Sequence, residues 1–557
     1  MKILLITLNA KFIHSSLALR CLRANIPENS DDCEILELTI NNRPEEILAE
    51  IYRRKPDVVG LSCYIWNIRM LLEAADELKK IMPHVKIIAG GPEVEHCVEE
   101  ILRNHKIDFI VTGEGENIFA KLIERKFNPR FVDGVAYLED GRMISSAAPL
   151  PDFNQLRFAY SGMEALAGSG LENRIIYYEA SRGCPYACAY CMSALAGKVR
   201  RLSLETACQQ LEALISMKPS QIKFVDRTFN SDRRYAYEIW QYLIENDNSV
   251  TNFHFEIAGG LLDADALALL GTARPGLFQF EIGVQSVNPQ TLAAIKRPDN
   301  LEKWYVNARQ LIENRNIHIH LDLIAGLPYE DFYSFRGSFN AVYSLSPHML
   351  QLGFLKLLKG SSLRVDAEQY QITYKTTAPY EVLSTAWLTF DDILRLKRIE
   401  DALEVCYNSG QFRGTVKFLE QFYETPFDLY DIMAHKLRFG EGVNRAKPRL
   451  VRELYEFGVS VCGNEKKLRD LLRFDLCLSE SPRAMPDWLR GEVPIEVKKK
   501  MGIPKRGDIA LEKFSYSVHV WLNSGTLEEQ ETYILFDYSC RPLSIEKINC
   551  SYREVYL

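Results

Sequence analysis

The stretch Arg174–Ser193, RIIYYEASRGCPYACAYCMS, runs from a cluster of β-formers straight into three cysteines, Cys184, Cys188 and Cys191, spaced Cys-x3-Cys-x2-Cys. A short apolar run closed by polar and glycine text reads as a buried strand, so the cysteines fall on the loop directly after it. If that strand opens a series of β/α units, the loop lies on the face where such barrels carry their chemistry. Thiolates are the natural ligands of iron–sulfur clusters, and three of them occupy three irons while leaving a fourth open to a substrate. A structural zinc site is the alternative; it normally takes four protein ligands, and no fourth Cys or His stands nearby in the sequence.

Downstream, QIKFVD, NFHFEIAG, LFQFEIGVQS, HIHLDLIAGL and LQLGFLKLL supply further strands, with helical text such as SLETACQQLEALISM between them. Six β/α units suit an incomplete (β/α)6 barrel over residues 173–375 better than a closed eight-fold one. Upstream, KILLITL, DVVGLSCY, VKIIAGG, FIVTGEGE and GVAYL alternate with amphipathic segments over residues 1–135. That rhythm predicts a Rossmann-like, doubly wound parallel sheet with ligands at the carboxyl ends of its strands. Those ends carry Asn9–Ser15, Ser62–Asn67, Gly90–Glu93 and Gly113–Glu116. Residues 136–172 are turn-rich and read as a linker. Residues 376–557 read as a mainly helical domain: Ile393, Leu396, Ile399 and Leu403 recur at helical spacing, and YSVHVWL with ETYILFDY around NSGTLEEQ predicts a hairpin. The fold class is therefore α/β with a helical C-terminal region.

With 557 residues, 47% hydrophobic and 25% charged, the composition is that of a multidomain globular chain. A net charge of −7 weighs against a broad nucleic-acid surface and favours a small-molecule or peptide substrate. No stretch calls for a membrane, and the N-terminus lacks the h-region and cleavage site of a signal peptide, so the expected compartment is the cytoplasm with reduced thiols. Outside the triad, Cys21, Cys33, Cys63, Cys97, Cys208, Cys406, Cys462, Cys477, Cys540 and Cys550 are dispersed and read as packing residues.

The cysteine spacing, Gly183 before it and Tyr190 before the last cysteine resemble the radical S-adenosylmethionine superfamily. The resemblance implies a 4Fe-4S cluster whose open iron chelates S-adenosylmethionine, reductive cleavage to a 5′-deoxyadenosyl radical, and an electron donor such as flavodoxin or ferredoxin. EIGVQS (Glu281–Ser286) resembles the family's fourth-strand text. By the same resemblance Asp226, Glu256, Glu281 and Gln285 line the S-adenosylmethionine and substrate side, and LDLIAGLP brings Asp322 and Gly326–Pro328.

IIAGGPEVE and FIVTGEGE together resemble the cobalamin-binding domain that precedes the barrel in one radical subfamily, with Gly90, Gly91, Glu93, Gly113, Glu114, Gly115 and Glu116 as the cofactor loops. Glycines after strands let backbone approach a bulky ligand; a nucleotide-binding sheet is the alternative. The Asp-x-His-x-x-Gly pattern that gives a histidine to cobalt is absent, since His14 has neither flank. The resemblance thus implies cobalamin without a histidine ligand, its lower face toward Ser62, Tyr64, Ile65, Trp66 and Asn67.

NAKFIHSSLALR, KFVDRTFN and LQLGFLKLLKG resemble a group with a C-terminal domain of unknown function. Its usual reaction is methylation of an unactivated carbon through the deoxyadenosyl radical and methylcobalamin. Cyclisation or rearrangement without methyl transfer uses the same residues, and a non-catalytic corrinoid-binding protein is a further alternative. A tRNA methylthiotransferase needs a second cysteine trio, which Cys21, Cys33, Cys63 and Cys97 do not form. In the C-terminal region Tyr407, Arg413, Lys417, Tyr423 and Tyr430 are substrate-facing candidates, with solvated surface as the plainer reading of each.

Overall fold

Strand β1 (Ile3–Asn9) is buried at every position, and its alternate side chains feed two separate cores. Leu4, Ile6 and Leu8 join Ile47, Leu71, Ala75 and Leu78 on one face, while Ile3 and Leu5 join Leu19, Phe119 and Leu122 on the other. A period of two with both faces apolar is the pattern of a parallel sheet covered by helices on each side. Its strands β1, β2 (Cys33–Thr39), β3 (Val58–Ser62), β4 (Lys86–Gly90), β5 (Phe109–Val111), β6 (Val135–Glu139) and β7 (Arg142–Ile144) lie in the order β2-β1-β3-β4-β5-β6-β7.

Two features depart from the expectation. Strand β2 was not foreseen, because CEILELT places Glu34 and Glu37 where a buried strand would carry apolar residues; it is an edge strand. GVAYL is antiparallel to β5 and turns back into β7 through Asp140 and Gly141, both at positive φ. That two-residue turn has the twist of a tight hairpin, so residues first read as linker complete the sheet.

This computed structural model describes residues 1–27, 32–195, 197–297, 300–440, 446–479, 485–500, 508–539 and 550–555. It divides into two compact units. The first comprises Met1–Thr272, Ile295–Arg297 and Lys356–Val382. Besides the sheet it holds β8 (Ile176–Tyr178), β9 (Ser181–Arg182), β10 (Arg200–Arg201), β11 (Gln221–Phe224) and β12 (Asn252–Glu256). Strands β8, β11 and β12 run parallel, and the short β9 pairs antiparallel with β10, enclosing the cysteine loop. Phe224 stacks on Phe255 at 4.2 Å and meets Tyr178 edge-on at 5.1 Å, giving these strands an aromatic core.

The second unit contains Ala273–Ala294, Pro298–Leu355 and Leu383–Leu557. Strands β13 (Phe278–Gln285), β14 (His318–Ala325) and β15 (Met349–Phe354) are parallel, so the six expected barrel strands are present, three in each unit. Helix Phe390–Leu403 starts at a capping box of Thr389 and Asp392 and buries Ile393, Leu396, Ile399 and Leu403, as the spacing predicted. A three-stranded antiparallel sheet follows, Ile509–Tyr516, Glu529–Asp537 and Ser551–Val555.

The expected hairpin is corrected in one respect: VHVWL is a helix, Val518–Ser524, closed by Gly525 at φ +71. Trp521 drives that outcome, since it is buried and donates from Nε1 to Gly414 O at 2.9 Å. Among the dispersed cysteines Cys63, Cys406, Cys477 and Cys550 are buried, and Cys540 lies outside the described residues.

Within this unit, fully buried Asp475 accepts from Gly414 N at 2.9 Å, Thr415 N at 2.8 Å and Thr415 Oγ1 at 2.7 Å. It thereby supplies the acceptors that the first turn of helix Arg413–Glu420 lacks. Asp475→Ala leaves these donors unsatisfied, at a cost of about 1–3 kcal/mol each for buried groups. The expected result is a lowered thermal midpoint for the C-terminal transition in calorimetry, with the transition of the first unit unchanged.

Candidate cofactor site

The loop after β3 is held from behind by Asn67, which is fully buried. Its Nδ2 donates to Thr7 Oγ1 at 3.2 Å, Leu8 O at 3.2 Å and Ser62 O at 3.1 Å, and its Oδ1 accepts from Tyr64 N at 2.7 Å. The folded loop presents Tyr64 and Trp66 as a parallel stack 4.6 Å apart, and Trp66 Nε1 donates to Leu8 O at 3.0 Å. Beside it, Gly91 sits at φ +110, where an added Cβ would lie 2.5 Å from Cys63 O. Only glycine fits there.

These loops enclose a cavity of about 780 Å³ within the first unit. Ser62, Tyr64, Trp66, Gly90, Gly91 and Gly113–Glu116 line it from the sheet, and Glu179, Ser181, Arg182 and Gly183 line it from the strands leading to the cysteines. A glycine floor facing an aromatic pair fits a large, flat, partly apolar ligand. His14 also lines the cavity; its Nδ1 lies 2.7 Å from the Tyr177 hydroxyl, and burial, with Lys11 nearby, lowers its pKa.

The cysteine loop begins at Gly183, whose φ is +102 and whose added Cβ would lie 3.0 Å from Lys198 O. Cys191 N donates to Cys188 O at 3.0 Å, Ala189 N to Ile295 O at 2.9 Å, and Leu363 N to Ala189 O at 2.8 Å. Arg297 donates to the Tyr190 hydroxyl at 3.1 Å. Burial pushes the Cys188 thiol up, and the Arg297 charge opposes it. Among the described residues no three His, Cys, Asp or Glu side chains converge on a single ion. Three thiolates are the number that would hold three irons of a four-iron cube and leave the fourth open.

Between cavity and loop stands a cluster that sequence reading missed. Arg182 donates from Nε to Glu179 at 2.9 Å, from one terminal nitrogen to Glu114 at 2.7 Å, and from the other to Glu116 at 2.5 Å. Arg200 also pairs with Glu114, and Arg182 lies over the Phe153 ring at 4.9 Å. Burial raises the Glu179 carboxyl and Arg182 opposes it, while the three carboxylates hold Arg182 charged. The signal available in the sequence was the Glu-x-x-Arg spacing of Glu179 and Arg182 directly before Gly183.

Other predicted positions fall elsewhere. Ile65 is not part of the lining, and Asn67 braces the loop from behind. Glu93 is buried and accepts from the Tyr380 hydroxyl at 2.9 Å. Asp226 is also outside the lining: it is buried beneath β9 and accepts from Ala180 N at 3.0 Å and Ser181 Oγ at 2.5 Å, while its neighbours Val225 and Arg227 reach the cavity. Glu256 ends β12 and is half-buried.

In the second unit Glu281 is half-buried within β13, and Gln285 ends that strand at φ +71. Gln285 Oε1 is buried with no hydrogen-bond partner among the described residues. Next to it, Glu330, absent from the sequence reading, accepts from Ser286 Oγ at 2.6 Å and Ser338 Oγ at 2.8 Å. The C-terminal candidates divide: Tyr430 is core, Tyr407 donates to Pro347 O at 2.5 Å, and Lys417 donates to Leu522 O at 3.2 Å. Arg413 opens a helix, and Tyr423 is half-buried.

Comparison with known proteins accounts for this arrangement. The chain matches the B12 binding domain over residues 3–123, the radical SAM superfamily over 178–338 and a protein family of unknown function, DUF4080, over 368–506. Taken together, the three matches are those of a cobalamin-binding radical S-adenosylmethionine protein that also carries that domain of unknown function.

It is 28% identical over 320 residues to 2-(S-pantetheinyl)-carbapenam-3-carboxylate methyltransferase of Streptantibioticus cattleyicolor, a match covering 53% of this chain and 46% of that protein. It is also 28% identical over 333 residues to the cobalamin-dependent radical SAM methyltransferase TokK of Streptomyces tokunonensis, covering 54% and 47%. The chain thus spans about half the length of the curated relatives it matches. In fold it resembles the cobalamin-dependent S-adenosylmethionine radical enzyme OxsB with aqua-cobalamin bound, with a TM-score of 0.60 at 14% identity over 91% of this chain and 82% of that one. Among the described residues no helix is long and apolar enough to cross a membrane.

Burial, opposed by the Ser181 and Ala180 hydrogen bonds, raises the Asp226 carboxyl to about 7. A carboxyl raised above its unfolded value contributes stability that is complete below the unfolded pKa and is lost as pH rises through the folded one. Stability should therefore fall between about pH 4 and pH 7, and Asp226→Asn should flatten that slope in denaturant melts across the range. An unchanged slope would mean that Asp226 is ionised throughout.

Proposed function

We propose that the protein is a cobalamin-dependent radical S-adenosylmethionine methyltransferase that methylates an unactivated carbon of a small-molecule or peptide substrate. The observation that carries this reading is the cavity walled on one side by the glycine loops of the sheet and on the other by the strand that feeds Cys184, Cys188 and Cys191. Cys184, Cys188 and Cys191 are the three cluster ligands. Gly90, Gly91, Gly113 and Gly115 would let cobalamin approach bare backbone, and Tyr64 with Trp66 would pack against it. The aromatic stack would exclude water from the face of the ligand it covers. When bound, the cluster and S-adenosylmethionine supply the hydrogen-abstracting radical and cobalamin carries the methyl group. The chain's own part is to hold the two cofactors against one cavity and to exclude water from the space between them.

On the barrel side, Gly183 lets the cysteine loop turn away from β9 toward the cavity. Asn67 keeps Tyr64 and Trp66 in register with β1, so the lower wall does not depend on the ligand for its shape. A soluble one-electron donor such as flavodoxin or ferredoxin completes the system, and the cytoplasm supplies the reducing conditions the cluster needs.

Anaerobic reconstitution with iron, sulfide and hydroxocobalamin, followed by reduction and product analysis, tests the reading. Methylation expects both 5′-deoxyadenosine and S-adenosylhomocysteine. Deoxyadenosine alone would shift the assignment to cyclisation or rearrangement, and neither product would leave a corrinoid-binding protein. Replacing any one of Cys184, Cys188 or Cys191 by Ala should abolish S-adenosylmethionine cleavage while cobalamin still binds; persistent cleavage refutes the ligand assignment. Asn67→Ala should retain the cluster but weaken cobalamin binding, measured by the absorbance of the retained corrinoid after gel filtration.

A further inference from the structure

Strand β8 and its extension β9 are tied to the sheet at two points. At the start, Ile175 N donates to Ile13 O at 2.8 Å, Ser15 Oγ donates to Ile175 O at 2.7 Å, and Arg174 lies 3.5 Å from Glu37. At the end, Arg182 reaches Glu114 and Glu116 of the glycine loop that lines the cavity. The two ties differ in what lies beyond them. Residue 174 precedes a strand, whereas residue 182 is followed at once by Gly183 and Cys184.

The second tie is also the more completely built. All three guanidinium nitrogens of Arg182 are engaged, the side chain is 14% exposed, and Glu116 is 7% exposed. A planar fork holding carboxylates on separate segments fixes orientation as well as distance, which a single point charge does not. Gly113 at the head of this loop stands at φ +66 and lies against Ala148, where an added Cβ would come within 2.8 Å of the Ala148 side chain. Glu114 is further held by Arg200 on β10, the partner strand of β9.

We propose that Arg182 is a positioning residue that sets the separation and tilt of the corrin relative to the cluster, by locking the Gly113–Glu116 loop to the first residue of the cysteine loop. The proposal rests on the two-cofactor reading above. Glu114 and Glu116 then act through Arg182 and not as cofactor ligands in their own right, which revises the role expected for them from sequence. Each cofactor keeps its own binding groups when Arg182 is lost; what is lost is their fixed relation. A displacement of about 1 Å between reacting groups costs on the order of 100-fold in a step that needs both, while a step that needs only one is spared.

The test uses the full chain reconstituted with cluster and cobalamin and reduced so that cluster and cob(II)alamin are both paramagnetic. Pulsed electron paramagnetic resonance then reads the distribution of distances between them. Wild type is expected to give one narrow distance, and Arg182→Gln a broadened or displaced distribution at unchanged iron and cobalamin content. S-adenosylhomocysteine formed per deoxyadenosine should fall by about 100-fold in Arg182→Gln. Arg182→Lys should show an intermediate width. Glu116→Gln removes one arm of the fork from the other side and should broaden the distribution in the same sense, so the proposal stays testable if Arg182→Gln does not fold.

Arg174→Gln, which loosens only the first tie, should keep the narrow distance. Equal broadening in Arg174→Gln and Arg182→Gln would reduce Arg182 to a general structural contact and overturn the proposal, as would an unchanged distribution in both Arg182→Gln and Glu116→Gln. Absence of a cluster or corrin signal in wild type would instead remove the two-cofactor reading and the proposal with it.

Discussion

Three carboxylates and two guanidiniums packed into one wall are the constraint on which the first unit depends. Glu114, Glu116 and Glu179 face Arg182 and Arg200 at the junction of the glycine loop, β9 and β10. Removing ions from water costs several kcal/mol each, and their mutual attraction offsets that only when geometry is close and the remaining hydrogen-bonding positions are filled. Here the geometry is close because each of the three guanidinium nitrogens of Arg182 reaches a different carboxylate within 2.9 Å. The arrangement is therefore weak evidence for raw stability and strong evidence for a specified register. A chain that needed only to cover the sheet would have done so more cheaply with apolar residues.

The register so fixed passes along short, stiff segments. From Arg182 the chain turns at Gly183, whose backbone excludes any other residue, and enters the cysteine loop. That loop is held on its far side by Ile295 and Leu363 through both peptide groups of Ala189. On the sheet side, Asn67 and Gly91 hold the aromatic stack and the glycine floor with similarly little freedom. Loops that carry function are commonly the loosest parts of a fold. These are braced by buried polar side chains instead, which is what placing two large cofactors against each other requires.

How much of this was legible in the sequence follows from the range of each interaction. The Cys184–Cys191 spacing, the strand text and the glycine loops are local patterns, and they located the barrel strands, the sheet and the glycine loops that border the cavity. Strand β2 was missed because Glu34 and Glu37 break its apolar pattern, and the buried Glu37 carboxylate is satisfied by Arg20, Arg174, Ser16 and Asn9 from other segments. The helix at Val518 was read as strand because β-branched and aromatic residues favour strands in isolation, whereas Trp521 is fixed by a hydrogen bond to Gly414, far away in sequence. Carboxylates were assigned to cofactors wherever they followed a strand. Glu93 and Asp226 show why that rule fails: a buried carboxyl at a strand end is as often a hydrogen-bond acceptor for a neighbouring segment.

Asp226 and Glu330 carry that point further. They occupy equivalent kinds of position in the two units, after the strands β11 and β14, and each accepts from a serine while burial raises its carboxyl to about 7. A neutral carboxylic acid can donate as well as accept. Near neutrality each is therefore divided between its protonated and ionised forms. Protonation of either one removes a negative charge from beneath the strands of its own unit. The visible charges are concentrated instead in Arg182 and its partners, where they are paired. Two kinds of buried carboxyl thus stand apart: single acids bonded to a serine after a strand, and carboxylates paired with Arg182 and Arg200 at the cavity wall.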